Sequence, residues 1–236
     1  MKSKLTLILP AYNEGQGILK TLLEIDECTP RTIDLTIFVS EDGSSDNTRQ
    51  EVMNASNLSK NCNIELSSSS DRLGYSKGVL RGISQCKTEF IAFMDADGQC
   101  DPRDILFLLD SVKKNTIVCG YRNPRIDSKL RIIYSKSFNL AYRLFGGPQL
   151  VDPSSPFIVC RTSDILFLSN VSPRLSYGFW WEFQMRIAAA SLEIKEIPVN
   201  HRKRISGKTQ VYKLAKMPKI IFTHLIGLAK LRIELK

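Results

Sequence analysis

Two aspartates separated by a single alanine form the sharpest chemical signal in the sequence. Asp95 and Asp97 directly follow the apolar run Phe90–Met94, which is typical of a buried strand. Two carboxylates this close raise each other's pKa unless a cation neutralises them. Mg²⁺ and Mn²⁺ prefer oxygen ligands and often combine one or two carboxylates with phosphate oxygens of a bound molecule. The pattern therefore predicts a divalent-metal site at the end of this strand.

Two further polar segments follow predicted strands in the same way. Pro10–Glu14 follows a strand predicted at Leu5–Leu9, and Glu41–Thr48 follows one at Leu35–Val39. Each segment alone is compatible with an ordinary turn, because Asn, Asp, Ser and Gly favour turns for local reasons. In a parallel α/β sheet, however, ligands bind beyond the carboxyl ends of the strands. Three such segments at one sheet edge therefore predict a binding site.

The elements that position these segments alternate along the first 120 residues. Strands are predicted at Leu5–Leu9, Leu35–Val39, Ile64–Ser67, Phe90–Met94 and Ile117–Cys119. Helices are predicted at Gly17–Asp26, Asp46–Ala55 (capped by Ser45 or Asp46), Lys77–Gln85 and Asp104–Lys113. This alternation predicts an α/β fold with a mixed, mainly parallel central sheet flanked by helices.

The second half of the chain is less regular. Helices are predicted at Leu130–Leu144 and Phe179–Ala190, and strands at Pro156–Val159 and Leu192–Ile197. Leu214–Leu235 is a mixed apolar and basic stretch that Pro218 interrupts. The six cysteines include no Cys-x-x-Cys pair, which argues against a zinc site or a disulfide framework and favours reduced cytosolic thiols. No 18-residue apolar run and no signal-peptide pattern is found.

The net charge of +9 is concentrated at one end of the chain. Ten Lys or Arg residues and one acid lie between Pro198 and Lys236, and this excess equals the whole net charge. Such an asymmetry predicts an anionic partner, for which membrane headgroups, a lipid phosphate and nucleic acid are candidates; a solvated basic helix is the alternative. We expect a catalytic domain at residues 1–210 and a basic amphipathic tail at residues 211–236.

Seven segments in order along the chain resemble a known family. They are LILPAYNE (7–14), SEDGSSDNT (40–48), LGYSKGVLRGI (73–83), FIAFMDADGQCDP (90–102), GYR (120–122), VDPSSPF (151–157) and EIPVNHRKRISGKTQVY (196–212). The chain thereby resembles the family 2 glycosyltransferases of GT-A fold, a Rossmann-like nucleotide-binding fold. The resemblance is greatest to the polyprenyl-phosphate branch, which includes dolichol-phosphate mannosyltransferases and bacterial undecaprenyl-phosphate sugar transferases.

The resemblance implies a role for each matching position. The residues implied to bind the base and ribose are Pro10, Ala11, Tyr12, Glu14 and Asp42. The other residues implied to bind the donor are Gly74, Lys77, Asp95, Ala96 and Arg122. The metal ligands implied are Asp95, Asp97 and Gln99, with Mn²⁺ or Mg²⁺ as the cofactor. Relatives commonly have Leu where this chain has Gly98, and His-Pro or Asp-Pro after the motif where it has Cys100-Asp101.

A second basic cluster, His201–Arg204 followed by Gly207, matches a pattern that covers the active site in relatives. The resemblance implies that Arg202 and Arg204 bind the donor diphosphate or an acceptor phosphate, since Arg offers a planar fork for phosphate oxygens. A solvated loop is the alternative, and we assign no role to His201.

Glu182 lies in an otherwise apolar predicted helix, where many family 2 enzymes have an acidic base. It would deprotonate an acceptor hydroxyl, with Asp152 as a second candidate. A lipid-phosphate acceptor would need no base, because it is already an anion. The neighbouring Trp180 and Trp181 could stack on a sugar or lipid, or pack in the core.

The resulting hypothesis is an inverting transfer of mannose or glucose from a GDP- or UDP-sugar to a polyprenyl phosphate. Asp97, Glu182 and Arg204 would be catalytic. The protein would be cytoplasmic, peripheral at the cytoplasmic face of a membrane, and would bind no nucleic acid. The alternatives are transfer to a glycan hydroxyl with Glu182 as base, a nucleotidyltransferase, and an inactive nucleotide binder. Pro10–Glu14 argues against a nucleotidyltransferase, because it stands where a glycine-rich Lys/Arg loop is usual.

Overall fold

Seven strands form one mixed sheet in the computed structural model, which describes residues 2–126, 129–175, 177–204 and 217–236. The strands are β1 Ser3–Ala11, β2 Ile33–Glu41, β3 Asn63–Ser68, β4 Phe90–Phe93, β5 Thr116–Arg122, β6 Ile158–Arg161 and β7 Glu193–Val199. Their order is β3-β2-β1-β4-β6-β5-β7. Only β6 runs antiparallel to its neighbours, β4 and β5, so the mainly parallel sheet is confirmed.

Eight helices flank the described sheet. They are α1 Ile18–Cys28, α2 Thr48–Leu58, α3 Tyr75–Gln85, α4 Asp104–Asp110, α5 Lys129–Leu144, α6 Thr162–Ile165, α7 Phe179–Ala189 and α8 Met217–Glu234, with a 3₁₀ helix at Leu166–Asn170. Helix α2 begins after the predicted Asp46, because that carboxylate accepts the N–H groups of Thr48 and Gly15 and stays in the loop. Sequence reasoning missed α6 and the 3₁₀ helix, which are too short to show a period.

Buried apolar side chains form three clusters, and these clusters show how the helices pack on the sheet. Helices α1, α2 and α4 cover one side of the sheet, and α3 and α7 cover the other. Beyond α7, a third cluster joins it to α5 and α8. Adjacent residues of a helix point about 100° apart, so Trp180 faces the sheet cluster whereas Trp181 faces α5 and α8. Helix α7 is therefore buried on two sides.

Helix α8 carries the chain's last described segment. Pro218 is in its first turn, where a proline is tolerated, so it does not interrupt the helix. The expected boundary at residue 210 lies outside the described residues. Within the described part of the chain, no helix combines the length and apolarity needed to cross a bilayer.

Candidate active site

The three polar segments meet at one edge of the sheet. Strand β1 pairs in parallel with β2 and with β4, so that Ala11 lies opposite Glu41 and Ile8 opposite Phe93. The segments that follow these strands therefore leave the sheet side by side, and their predicted convergence is confirmed.

The loops after β1 and β2 are tied together by backbone amides. Three successive N–H groups of the first loop donate to side chains of the second, at 2.9–3.0 Å: Asn13 to Ser44 Oγ, Glu14 to Thr48 Oγ1 and Gly15 to Asp46 Oδ2. Beneath them, Glu41 is fully buried and accepts hydrogen bonds from Ser44 and Arg49. Burial opposes ionisation of Glu41, but these donors lower its pKa overall. Glu41 is therefore an ionised carboxylate paired with Arg49.

Asp42 holds the segment that leads into α3. Its carboxylate, 5% exposed, accepts the N–H groups of Leu73 at 2.7 Å and Gly74 at 2.9 Å. Arg72 then lies with its guanidinium carbon 3.9 Å from the ring centroid of Tyr12. The segment before α3 thus contacts the loop after β1. Binding of base or ribose by Asp42 stays a prediction, as does a donor contact by Lys77, which is exposed on the first turn of α3.

The Asp95–Gln99 segment is held by local hydrogen bonds. The Tyr75 hydroxyl donates to Asp95 Oδ1 at 2.7 Å, and Asp97 Oδ1 accepts the Gln99 N–H at 3.1 Å. Gly98 has φ of 72°, a left-handed conformation that costs glycine little. Glycine is therefore suited to this position of the turn.

Arg204 joins the loop after β1 to the two-aspartate motif. Its guanidinium pairs with Glu14 Oε1 and lies 3.5 Å from Asp97 Oδ2. Burial and the negative charges of Asp97 and Asp46 raise the pKa of Glu14, although Arg204 opposes this. Glu14, Asp97 and Arg204 thus meet between the loop after β1 and the two-aspartate motif.

The donor set at this edge fits an open site for a hard divalent cation. No group of three or more His, Cys, Asp or Glu side chains in the described ranges forms a closed metal cage. Mg²⁺ needs no such cage, since it usually takes one or two carboxylates and completes its shell with water and phosphate oxygens. Asp95 and Asp97 supply those carboxylates, and Glu14 adds negative charge nearby. Mg²⁺ or Mn²⁺ is therefore compatible with these residues.

The side-chain amide of Gln99 is tied to the segment after β7. Its nitrogen lies 3.3 Å from both His201 Nε2 and the Arg202 carbonyl oxygen. His201 is 6% exposed, and its Nδ1 accepts the Ile126 N–H at 3.0 Å. Because Nδ1 accepts, the neutral ring carries its proton on Nε2, so the Gln99 amide donates to the Arg202 carbonyl and not to His201. The bond to Arg202 holds Gln99 at the edge of the site, and His201 holds the backbone at Ile126.

Arg202 points away from the two-aspartate motif. Its guanidinium pairs with Glu24 of α1 and with Asp101, each at 2.6 Å. Arg103 also pairs with Asp101, and the two arginines lower the pKa of that carboxyl despite its burial. The predicted contact of Arg202 with phosphate stays a prediction that these ion pairs do not favour.

Arg122 and Asp152 form a buried bidentate pair. The guanidinium donates to the two carboxylate oxygens at 2.6 and 2.8 Å, and both side chains are less than a tenth exposed. Burial opposes ionisation, yet Arg122 and the nearby Arg125 lower the pKa of Asp152 to about 2. The structure thus brings together a predicted phosphate ligand and a predicted alternative base, whose charges neutralise each other.

Both carboxylate oxygens of Glu182 accept hydrogen bonds from neighbouring donors. Its Oε1 accepts from Arg186 at 2.7 and 2.9 Å, and its Oε2 accepts the N–H groups of Arg174 and Leu175 at 2.8 Å. Arg186 also pairs with Glu234 of α8 at 2.9 Å. None of these partners belongs to the loops after β1, β2 and β4. The structure therefore does not bring Glu182 into contact with that cluster, and its role as a base remains an untested prediction.

Sequence reasoning missed Tyr75 as a site residue. It is the first residue of α3, and its hydroxyl accepts the Trp180 indole N–H at 2.8 Å while it donates to Asp95. Burial of the hydroxyl and the charge of Asp95 raise the pKa of Tyr75 well above its usual value. The only available signal was its place beside Gly74 in a segment that resembles the family.

The fold is that of the GT-A glycosyltransferases. The model of glycosyl transferase family 2 matches residues 6–166. The chain therefore belongs to glycosyl transferase family 2. Glucosyl-3-phosphoglycerate synthase from Mycobacterium tuberculosis, solved with phosphoglyceric acid, superposes with a TM-score of 0.69 over 96% of this chain and 80% of that chain, at 16% identity. The same enzyme solved with Mn²⁺, UDP and glucosyl-3-phosphoglycerate gives a TM-score of 0.67 at 15% identity, over the same shares of both chains.

Curated relatives of this chain are named as enzymes that act on lipid phosphates. An undecaprenyl-phosphate 4-deoxy-4-formamido-L-arabinose transferase from Pseudomonas fluorescens (strain Pf0-1) is 26% identical over 87% of this chain and 59% of the relative. A dolichyl-phosphate beta-glucosyltransferase from Dictyostelium discoideum is 29% identical over 60% of this chain and 46% of the relative. The chain thus spans less than two thirds of the length of these relatives.

Proposed function

We propose that this protein transfers a hexose, glucose or mannose, from a GDP- or UDP-sugar to a polyprenyl phosphate, with inversion at the anomeric carbon. Family membership supports sugar transfer, and the names of both relatives support a polyprenyl-phosphate acceptor. The observation that carries the proposal is the convergence of Glu14, Asp95 and Asp97 on the sheet edge where the loops after β1 and β4 meet.

Each group at this edge has a task in such a reaction. Asp95 and Asp97, with Gln99, would hold Mg²⁺ or Mn²⁺, which supplies positive charge to the departing diphosphate. That glucosyl-3-phosphoglycerate synthase, which has this fold, was solved with Mn²⁺ and UDP and also with Mg²⁺ and UDP supports this assignment. Arg204 lies next to Asp97 and can bind the diphosphate through its planar fork. Pro10, Ala11, Tyr12 and Asp42 would line the base and ribose pocket.

The state of Glu182 favours a phosphate acceptor over a glycan hydroxyl. A hydroxyl acceptor needs a general base within hydrogen-bonding reach of its proton. Glu182 is 1% exposed and already accepts from Arg186 and two backbone N–H groups. A phosphate oxygen attacks as an anion and needs no such base.

The outer surface of α5 and α8 supports contact with a membrane. Large apolar residues are exposed there: Ile133, Leu140, Leu144, Ile221, Phe222, Leu225, Ile226 and Ile233. Lys136, Arg143, Lys230 and Arg232 are exposed on the same helices. Their one acid, Glu234, is paired with Arg174 and Arg186. A basic, apolar surface is suited to anionic lipid headgroups, and α8 would be the docking part of the tail. The location of the protein at the cytoplasmic face of a membrane stays a prediction.

A thermal-shift panel of GDP, UDP and dTDP, each with and without Mn²⁺, tests the donor site first. We expect one nucleotide to stabilise the protein, and to do so only with the metal. That nucleotide's glucose and mannose conjugates are then tested for transfer to undecaprenyl phosphate. A folded protein that no nucleotide stabilises would overturn the proposal. Transfer to a glycan but not to the lipid phosphate would overturn the acceptor assignment.

A further inference from the structure

The hydroxyl group of Tyr75 lies between a predicted metal ligand and a buried tryptophan. It donates to Asp95 Oδ1 at 2.7 Å and accepts the Trp180 indole N–H at 2.8 Å. Although 38% of Tyr75 is exposed, its polar end is enclosed by these two partners. Tyr75 thus connects α7 to the carboxylate that follows β4.

The direction of these hydrogen bonds is fixed by chemistry. A phenol has one proton to donate, and an indole N–H can only donate. Trp180 therefore occupies the acceptor side of the hydroxyl, and the Tyr75 proton is directed to Asp95. Because the hydroxyl cannot reverse its bond, it restrains the rotation of the Asp95 carboxylate.

Trp180 and the backbone that leads into Tyr75 are both held in place. Trp180 is 6% exposed and packs edge-on against Phe93 of β4, with ring centroids 5.4 Å apart, and against Phe183 at 5.5 Å. The backbone before Tyr75 is held by Asp42, which accepts the Gly74 N–H at 2.9 Å. Gly74 has φ of 98°, a conformation that L side chains rarely adopt, and this turn directs the chain into α3.

We propose that Tyr75 is a positioning residue that holds Asp95 in the orientation needed to bind the divalent cation. The inference rests on the proposed function, because it requires a cation at Asp95 and Asp97. Groups that hydrogen-bond to a metal's ligands fix ligand geometry, and their loss typically weakens metal binding by about 10- to 100-fold. Tyr75 also connects Asp95 to the segment that Asp42 holds.

Mn²⁺ binding tests this role without relying on turnover. The Mn²⁺ dissociation constant is measured by electron paramagnetic resonance, with GDP or UDP present, whichever stabilises the wild type. Tyr75→Phe keeps the ring and removes only the hydroxyl, and we expect it to weaken Mn²⁺ binding by about 10- to 100-fold. Trp180→Phe leaves the hydroxyl in place but frees its rotation, so a smaller loss is expected. Tyr134→Phe, on α5, is the matched control and should bind Mn²⁺ as the wild type does.

The outcomes separate this inference from the proposed function. Failure of the wild type to bind Mn²⁺ with either nucleotide would remove the metal site, and both proposals with it. If the Mn²⁺ dissociation constants of the wild type and Tyr75→Phe agree within about twofold, the role of Tyr75 is overturned. The proposed function is then unaffected. Circular dichroism of each variant checks that the fold is kept, and an equal loss in Tyr134→Phe would also count against the inference.

Discussion

Two Glu–Arg pairs in this molecule have opposite surroundings. In the α7–α8 region, Glu182 pairs with Arg186 one helical turn away, and two backbone N–H groups complete its shell. At the sheet edge, Arg204 pairs with Glu14 across two loops and also approaches Asp97. The first carboxylate has donors for both of its oxygens and is 1% exposed. The second lies beside Asp95 and Asp97, and all three carboxylates are partly exposed.

The difference supports the proposal that the first pair is structural and the second belongs to a binding site. A buried carboxylate that is fully hydrogen-bonded within the protein has nothing further to gain from a ligand, and breaking its pair is costly. Carboxylates that repel each other at a sheet edge gain from a cation. Mutations should therefore reduce stability in the α7–α8 region and reduce ligand binding at the sheet edge.

Asp97→Asn should have the largest effect, on activity. We expect sugar transfer to fall by about a thousandfold or more, because the proposed metal ion loses a carboxylate ligand. The positive charge of that ion would stabilise the leaving diphosphate. The melting temperature without ligand should change little, since removal of one of several crowded carboxylates relieves repulsion. Transfer assays and melting curves measure both. Asp110→Asn, at the exposed end of α4, is the control, and near-normal activity of Asp97→Asn would contradict the metal assignment.

Arg186→Met should have its main effect on stability. It leaves Glu182 buried without its counter-charge, which typically costs about 3–5 kcal/mol; we expect a value near the lower limit, because Glu182 keeps two backbone donors. Urea unfolding measures the loss. Arg204→Met is the matched substitution at the sheet edge, and we expect it to cost about 1 kcal/mol or less, since that pair is partly exposed. A stable but inactive Arg186→Met would instead indicate that Glu182 acts in catalysis.

The Arg122–Asp152 pair can be assigned to one region or the other by its pH dependence. The folded pKa of Asp152 is about 2, against 3.8 for the free side chain. Because the pKa is depressed, the pair's stabilisation is present above pH 3.8 and is lost as the pH falls towards 2. The expected loss is about 2 kcal/mol.

Urea unfolding from pH 5 to pH 2 measures this loss. Asp152→Asn should be less stable at pH 5 and show a flatter acid limb, whereas Asp34→Asn, exposed in β2, should follow the wild type. If Asp152→Asn instead kept its stability and lost nucleotide binding, Arg122 would belong to the phosphate site, as the sequence analysis predicted.

The fold could be predicted from periodicity because its strands and long helices are regular. The alternation from Leu5 to Cys119 is a local pattern, and a parallel sheet follows from it. Parallel strands share an edge for their carboxyl ends, which is why the meeting of Pro10–Glu14 with Asp95–Gln99 was predictable. The helix start at Asp46 was wrong because Asp46 bonds Gly15, a contact 31 residues away.

The partners of charged side chains were much less predictable. Arg122 with Asp152 and Arg204 with Glu14 depend on the paths of loops, which no periodicity records. Tyr75 is one of seven tyrosines, and nothing in its type or spacing marks it. The pairing of Glu182 with Arg186 was different, since residues four apart share a helix face. That spacing is visible in the sequence, but Glu182 was predicted as a candidate base and the pair was not considered.

The outer surface of α5 and α8 gives the smallest predicted effect, on membrane binding. Phe222 of α8 is 66% exposed beside basic residues, and Phe107 of α4 is 66% exposed outside the α5–α8 surface. Burial of a phenylalanine is worth about 1.5–3 kcal/mol, so Phe222→Glu should weaken binding to anionic liposomes by about tenfold or more. Phe107→Glu adds the same charge elsewhere and should float as the wild type does. Equal flotation of both variants would mean that α8 does not dock on the bilayer, and equal losses would mean that added charge, not this surface, controls binding.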